Sequence, residues 1–168
     1  YLKDDFMYDI IIIGAGPAGL TAALYALRAD KTVLVLEKGT FGGQITYSPQ
    51  IENYPGFERM SGNEFADKLL DQVLSMGAEV EMEKVTGIVD EGNRKLVFAD
   101  SKKYEAQAVI IAVGVHHRQL GLPNENQLVG NGVSYCAVCD GAFYKGKTVA
   151  IIGGGNTALQ EANLLAEG

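Results

Sequence analysis

The residues best suited to chemistry are the only two cysteines, spaced as Cys136-Ala137-Val138-Cys139. Three uses of that spacing compete. A zinc centre needs about four nitrogen or sulfur ligands, and the adjacent His116 and His117, the remaining candidates, diverge if their segment is extended. A purely structural pair gains little in a reducing compartment, and a small secreted scaffold would use more cysteines. A redox dithiol exploits the spacing best: one thiolate attacks an external disulfide and the other resolves the mixed disulfide. Asp140 follows directly and could carry protons to and from the leaving thiolate, the alternative being a turn residue ahead of Gly141.

A second constellation is Gly14-Ala15-Gly16-Pro17-Ala18-Gly19. In a dinucleotide fingerprint the first glycine makes a tight turn, the second lets backbone reach a pyrophosphate, and the third lets helix and strand pack closely. The helix N-terminus supplies N–H groups and a favourable dipole for the anion. Glu37 lies 23 residues beyond Gly14, near the spacing of about 20 at which an acid meets a ribose hydroxyl. The alternative is a tight βα turn with a surface glutamate. Strand, helix and acid all fall where the fingerprint requires them, which favours nucleotide binding.

The elements that must hold these residues follow from periodicity. Tyr8–Ile13 is a continuous apolar run suited to a parallel strand buried on both faces. A helix from Pro17 to Ala29 carries Leu20, Leu24 and Leu27 on one stripe, and a strand over Thr32–Leu36 delivers Glu37. After a glycine-rich loop at 39–43 and a Pro/Gly loop at 51–57, Ser61 and Glu64 form a capping-box pair. They open a helix whose stripe is Phe65, Leu69, Val73 and Met76, with Gly77 as its stop. Short strands are expected at Ala78–Met82, Val85–Asp90, Lys95–Ala99 and Lys102–Ala106, then a buried strand at Ala108–Val113 closed by Gly114. Residues 115–132 read as a connection between domains. Thr148–Ile152, Gly153-Gly154-Gly155 and a helix over 159–167 form a second strand–glycine–helix unit. One strand and one helix cannot bury an open sheet, so the chain reads as part of a longer protein.

Composition sets limits. The 168 residues are 47% hydrophobic and 21% charged, ordinary for a globular protein, and 21 are glycine. A formal charge of −7 without a basic cluster argues against a nucleic-acid partner. No apolar run approaches the ~20 residues that span a bilayer. The charged Lys3, Asp4 and Asp5 exclude a signal peptide, so a cytoplasmic location is expected, with residues 1–7 an extension and Met7 a native start.

Several segments together are similar to low-molecular-weight thioredoxin reductases: Gly14–Gly19, Gly42-Gly43-Gln44, Glu52-Asn53-Tyr54-Pro55-Gly56, Ala112-Val113-Gly114 leading to Gly121-Leu122-Pro123, Cys136–Tyr144, and Val149–Ala158. The resemblance covers residues 7–168. It implies an α/β fold: a Rossmann-like, three-layer FAD-binding domain with a small β-meander over 8–114. A linker, the Cys pair and the beginning of a second Rossmann-like NAD(P)-binding domain would occupy 115–168.

By the same resemblance, Gly14, Gly16, Pro17, Ala18 and Gly19 take the FAD pyrophosphate. Glu37, Lys38, Gly42, Gly43, Gln44 and Asn53 surround the rest of the cofactor. Val85 touches the adenine through its main chain, and Ala112, Val113 and Gly114 flank the flavin. Cys139 faces the flavin, Cys136 meets the protein substrate, and Asp140 is the acid–base residue. Gly153, Gly155, Asn156, Thr157 and Ala158 open the pyridine-nucleotide site. The implied partners are NADPH, thioredoxin and a second copy in a homodimer.

Two positions depart from the family, which commonly has Thr at Val113 and Val138; the second loses a hydroxyl beside the dithiol. NADH or ferredoxin as donor, another protein acceptor, and a non-catalytic flavin-binding piece stay open alternatives. His116 and His117 read as linker residues, and Tyr135, Phe143 and Tyr144 as packing around the cysteines.

Overall fold

A computed structural model of the chain describes residues 6–167. The expected extension over 1–7 falls mostly outside them, and Met7 is the first residue of a strand, paired with Glu105. That strand, β1 (Met7–Ile13), lies mid-sheet, with Ile11 and Ile12 fully buried on opposite faces. Helix α1 (Pro17–Arg28) places Pro17 where its missing N–H costs nothing. It buries Leu20, Ala23 and Ala26 against β1 and β2 (Val33–Glu37), with Leu24 and Leu27 at the margin.

Helix α2 (Gly62–Ser75) begins at the predicted capping box. Ser61 Oγ accepts from the Glu64 amide at 3.2 Å, and Glu64 Oε2 accepts from the Ser61 amide at 2.7 Å. Phe65 and Val73 are buried, but Met76 lies beyond the last turn and is 39% exposed, so the apolar stripe ends one residue group early. Gly77, at φ +94°, stops the helix where a side chain would be strained.

Strands β3 (Glu79–Met82), β4 (Val85–Asp90), β5 (Lys95–Ala99) and β6 (Lys103–Ile111) complete a sheet of order β3-β2-β1-β6-β5-β4. The two strands expected at 102–106 and 108–113 are one. Residues 103–106 of β6 pair antiparallel with β5, and residues 105–111 pair parallel with β1. Continuous pairing on at least one side leaves no reason to break at Gln107.

Only Glu83 and Lys84 separate β3 from β4, although these strands form opposite edges of the sheet. The sheet must therefore curl until β3 and β4 approach each other at this two-residue turn, and the Asp100 amide donates to the Lys84 carbonyl at 3.1 Å, extending the β4–β5 ladder to the turn. Curling puts Val97, Tyr104 and Ala106 over Ile11, Ile13, Leu34 and Leu36, while α1 and α2 cover the other face. The layers are helices, parallel strands and an antiparallel meander: the α/β architecture the sequence implies. Full burial of each such aliphatic side chain contributes roughly 1.5–3 kcal/mol.

Beyond β6 the described residues form the α-helices α3 (Glu125–Leu128), α4 (Ala137–Asp140) and α5 (Asn156–Ala166), with a 3-10 turn at Gly141–Tyr144 directly after α4. Thr148–Ile152, expected as a strand, is not one: Ile152 is 67% exposed, and no described residue pairs with the segment. A parallel strand is stable only when neighbours satisfy its backbone and cover its faces. None of the described helices is long and apolar enough to cross a membrane.

Candidate active site

The turn after β1 is built from mutual close approaches. A Cβ on Gly14 (φ +105°) would lie 2.3 Å from the Ala112 carbonyl oxygen, so β6 delivers Ala112 against the turn. The Ala112 amide donates to Ile13 O at 2.8 Å and locks that approach. Gly16 is different, since its nearest obstruction is the Gly42 carbonyl at 3.7 Å. Gly16 caps α1 without a side-chain hydrogen bond, and Leu20 is the first helical amide to return to it, at 2.9 Å. The amides of Ala18 and Gly19 precede that first bond and are the helix's orphan donors.

The loop at 39–43 folds over this helix end. The Gly42 amide donates to Ala15 O at 2.8 Å, and a Cβ on Gly43 (φ +61°) would face the Gly16 Cα at 3.5 Å. Gly42 (φ +96°) lies tight against Ala66 of α2. Glu37, at the end of β2, accepts from the Ala15 amide at 2.8 Å and the Gly39 amide at 2.9 Å. The acid that spacing assigned to a ribose thus also ties the two loops together. Lys38 is exposed beside it. Val85 sits at the start of β4, paired with Ala99, its side chain against the meander core.

A cavity of about 890 Å³ opens beside this cradle. Gln44, Asn53, Cys136, Cys139 and Asp140 are among the residues that line it. Gln44 also donates to the Val115 carbonyl, attaching the cavity to the segment after Val113 and Gly114. His116 and His117, read as linker residues, lie on the cavity wall. His117 stacks on Tyr135 with ring centroids 4.7 Å apart.

Cys136 and Cys139 are joined as a disulfide, their Cα atoms 5.3 Å apart, so neither is a thiolate ligand in this state. Cys136 is the N-cap of α4, and the Cys139 amide donates to its Sγ at 3.2 Å. That donor would favour negative charge on the Cys136 sulfur once the bond opens. Residue Gly141 packs closely on Leu165 of α5, which fixes the dithiol turn from behind.

Two groups escaped sequence reasoning. Glu125 is 4% exposed; its carboxylate accepts from Tyr135 Oη at 2.7 Å and from the amides of Leu120, Gly121 and Leu122 at 2.8–3.2 Å. The Tyr135 hydroxyl, followed by the Leu120 amide, holds the Glu125 carboxyl below the usual carboxylate range, and the same bond raises the Tyr135 phenol. Ser134 is the other, its Oγ 2.5 Å from Asp140 Oδ2. An acid four residues after Gly121 carries no spacing rule that marks it as a hub. Gly153, Gly155, Asn156, Thr157 and Ala158 stay outside the cavity, mostly exposed around the start of α5.

Residues 8–167 match the family described as pyridine nucleotide-disulphide oxidoreductase. A thioredoxin reductase of Bacillus subtilis is 47% identical over 160 residues, covering 95% of this chain and 51% of that protein. Thioredoxin reductase from Streptococcus pyogenes superposes with a TM-score of 0.92 at 45% identity, over 96% of this chain and 53% of that one. A ferredoxin-flavin thioredoxin reductase from Clostridium acetobutylicum gives 0.63 at 41% identity, over 96% and 56%. The chain spans about half the length of these relatives. A family match over nearly every residue, on a fold that seats a cysteine pair beside a glycine cradle, establishes that the chain belongs to the pyridine nucleotide-disulphide oxidoreductases.

Proposed function

We propose that the chain is the N-terminal part of a flavin-dependent disulfide reductase that takes electrons from NADPH through FAD to the Cys136/Cys139 pair and on to thioredoxin or a similar small protein. One observation carries this reading: a single cavity is lined by Gln44, Asn53, Cys136, Cys139 and Asp140 and adjoins the Gly16/Gly43 cradle. The residues fit a dinucleotide. Gly16 lacks the steric obligation that fixes Gly14 and Gly19, so a ligand close to its backbone explains it, and the orphan amides of α1 suit a pyrophosphate.

FAD, when bound, supplies a carrier that accepts an electron pair from a nicotinamide and delivers it to a disulfide. The protein's own contribution is thiol chemistry. Reduction of the Cys136–Cys139 bond takes up two electrons and yields two thiols. The Cys136 thiolate, stabilised by the Cys139 amide, attacks the partner's disulfide and displaces a thiolate. Cys139 then attacks Cys136 Sγ, which restores the internal disulfide and releases the partner as a dithiol. Asp140 donates a proton to the departing sulfur and recovers one from the resolving thiol. Gly153, Gly155, Asn156, Thr157 and Ala158 begin the nicotinamide-nucleotide site, where the uncapped N-terminus of α5 offers free amides.

The test uses the full-length protein under anaerobic conditions. NADPH is expected to bleach its visible absorbance, and Cys139→Ser to keep the flavin but lose disulfide reduction. Retained activity in that variant would remove the dithiol from the mechanism. The likeness to the ferredoxin-flavin enzyme favours a second reading, with ferredoxin as donor. Bleaching by reduced ferredoxin but not by NADPH would select it.

A further inference from the structure

Ser134 stands two residues before the dithiol, and its hydroxyl lies at a junction. Ser134 Oγ accepts from the Cys136 amide at 3.1 Å, and it lies 2.5 Å from Asp140 Oδ2 and 3.2 Å from the Cys136 carbonyl oxygen. A hydroxyl has one proton, so these two acceptors compete for it. The Cys136 carbonyl already accepts from the Asp140 amide at 3.1 Å and shares the Cys139 amide, at 3.2 Å, with Cys136 Sγ, so it is the weaker claimant for that proton. The carboxylate is nearer and charged, and hydrogen bonds to charged acceptors are the stronger class. The proton therefore belongs to Asp140 while that group is ionised.

We propose that Ser134 is a positioning residue for Asp140, holding its carboxyl beside the dithiol in both protonation states. The inference rests on the reading of Asp140 as the proton carrier. When Asp140 takes up a proton, its O–H can point to Ser134 Oγ, and the serine hydroxyl turns to the Cys136 carbonyl. The Cys136 amide anchors the oxygen throughout, so the exchange needs only a hydroxyl rotation and no backbone movement. The same amide belongs to the N-cap residue of α4, which ties the carboxyl's location to the attacking sulfur's own residue.

The experiment is a double-mutant cycle in the full-length, flavin-loaded protein, read by steady-state reduction of a small disulfide protein. Ser134→Ala is expected to lower kcat roughly tenfold with the KM for the acceptor unchanged, the loss of one hydrogen bond to a charged group. Ser134→Thr, which keeps the hydroxyl, is expected to restore most of the rate. With Asp140→Asn already in place, Ser134→Ala should cost less than about twofold, since the partner it serves is gone. An equal loss in both backgrounds would make Ser134 a structural residue and overturn the inference, as would an undiminished rate in Ser134→Ala. If Asp140→Asn alone leaves the rate intact, the proton-carrier reading itself falls. A loss in Asp140→Asn with none in Ser134→Ala removes only the present inference.

Discussion

A Cβ on Gly19 would sit 1.9 Å from the carbonyl oxygen of Gly14, so the end of the fingerprint is packed against its own beginning. Gly16, between them, has 3.7 Å to its nearest neighbour. The three glycines of one motif therefore answer to different forces.

Their substitutions should separate accordingly. Gly19→Ala forces a backbone clash and is expected to destabilise the flavin-free protein by about 1–3 kcal/mol, the usual cost of overpacking. Gly16→Ala should leave the unfolding midpoint of the flavin-free protein nearly unchanged yet abolish flavin retention. Thermal unfolding and flavin stoichiometry, measured on both variants, decide it; equal destabilisation by the two would mean that Gly16 is a packing residue.

Ser61→Ala removes the capping box and is expected to cost about 1 kcal/mol in stability. Because α2 supports the Gly42 loop through Ala66, flavin should dissociate faster, without any change in thiol chemistry. Denaturant midpoints and flavin off-rates check both parts.

The Glu125 hub makes a pH-dependent contribution whose sign follows from its lowered pKa. A carboxyl more acidic in the folded state than in the unfolded chain stabilises the fold above its unfolded value, near 4.5, and loses that contribution as pH falls through the folded value. The stability gap between the protein and its Glu125→Gln variant should thus be full at neutral pH and shrink below about pH 4.5. Urea midpoints across that range measure it, and a gap that widens on acidification would contradict the assignment.

In the 168-residue chain, amides of Val149–Ile152 should exchange with solvent almost unprotected, because none of the described residues pairs with them. In the full-length protein they should be protected, if a second sheet forms there. Hydrogen exchange on both proteins compares them directly.

Much of this was legible in the residues. Continuous apolar runs at Tyr8–Ile13 and Thr32–Leu36, the Ser61/Glu64 pair and Gly77 each report a local preference that the fold keeps. Spacing together with the flanking strand and helix located the glycine turn, and the Cys136/Cys139 spacing singled out the pair that the structure joins. What stayed hidden depends on contacts remote in sequence. The continuity of β6 is decided by β1 and β5, not by Gln107. The hub at Glu125 needs Tyr135 to fold back on the 120–122 segment, and His117 stacks on that same Tyr135 at the cavity. The Thr148–Ile152 segment has strand composition but no partner, and composition cannot supply one.

The approach of Ala112 to Gly14 also sets an order of events. The turn that begins the cofactor cradle is made early in the chain, but the residue that shapes it arrives only with the last strand of the sheet. Closing so long a loop is slow, because its entropy must be lost before the contact repays it. A nascent chain therefore carries its fingerprint helix well before it owns a binding site. A dinucleotide held in that cradle would reward only a sheet already complete, and would act as a late lock on folding instead of a nucleus.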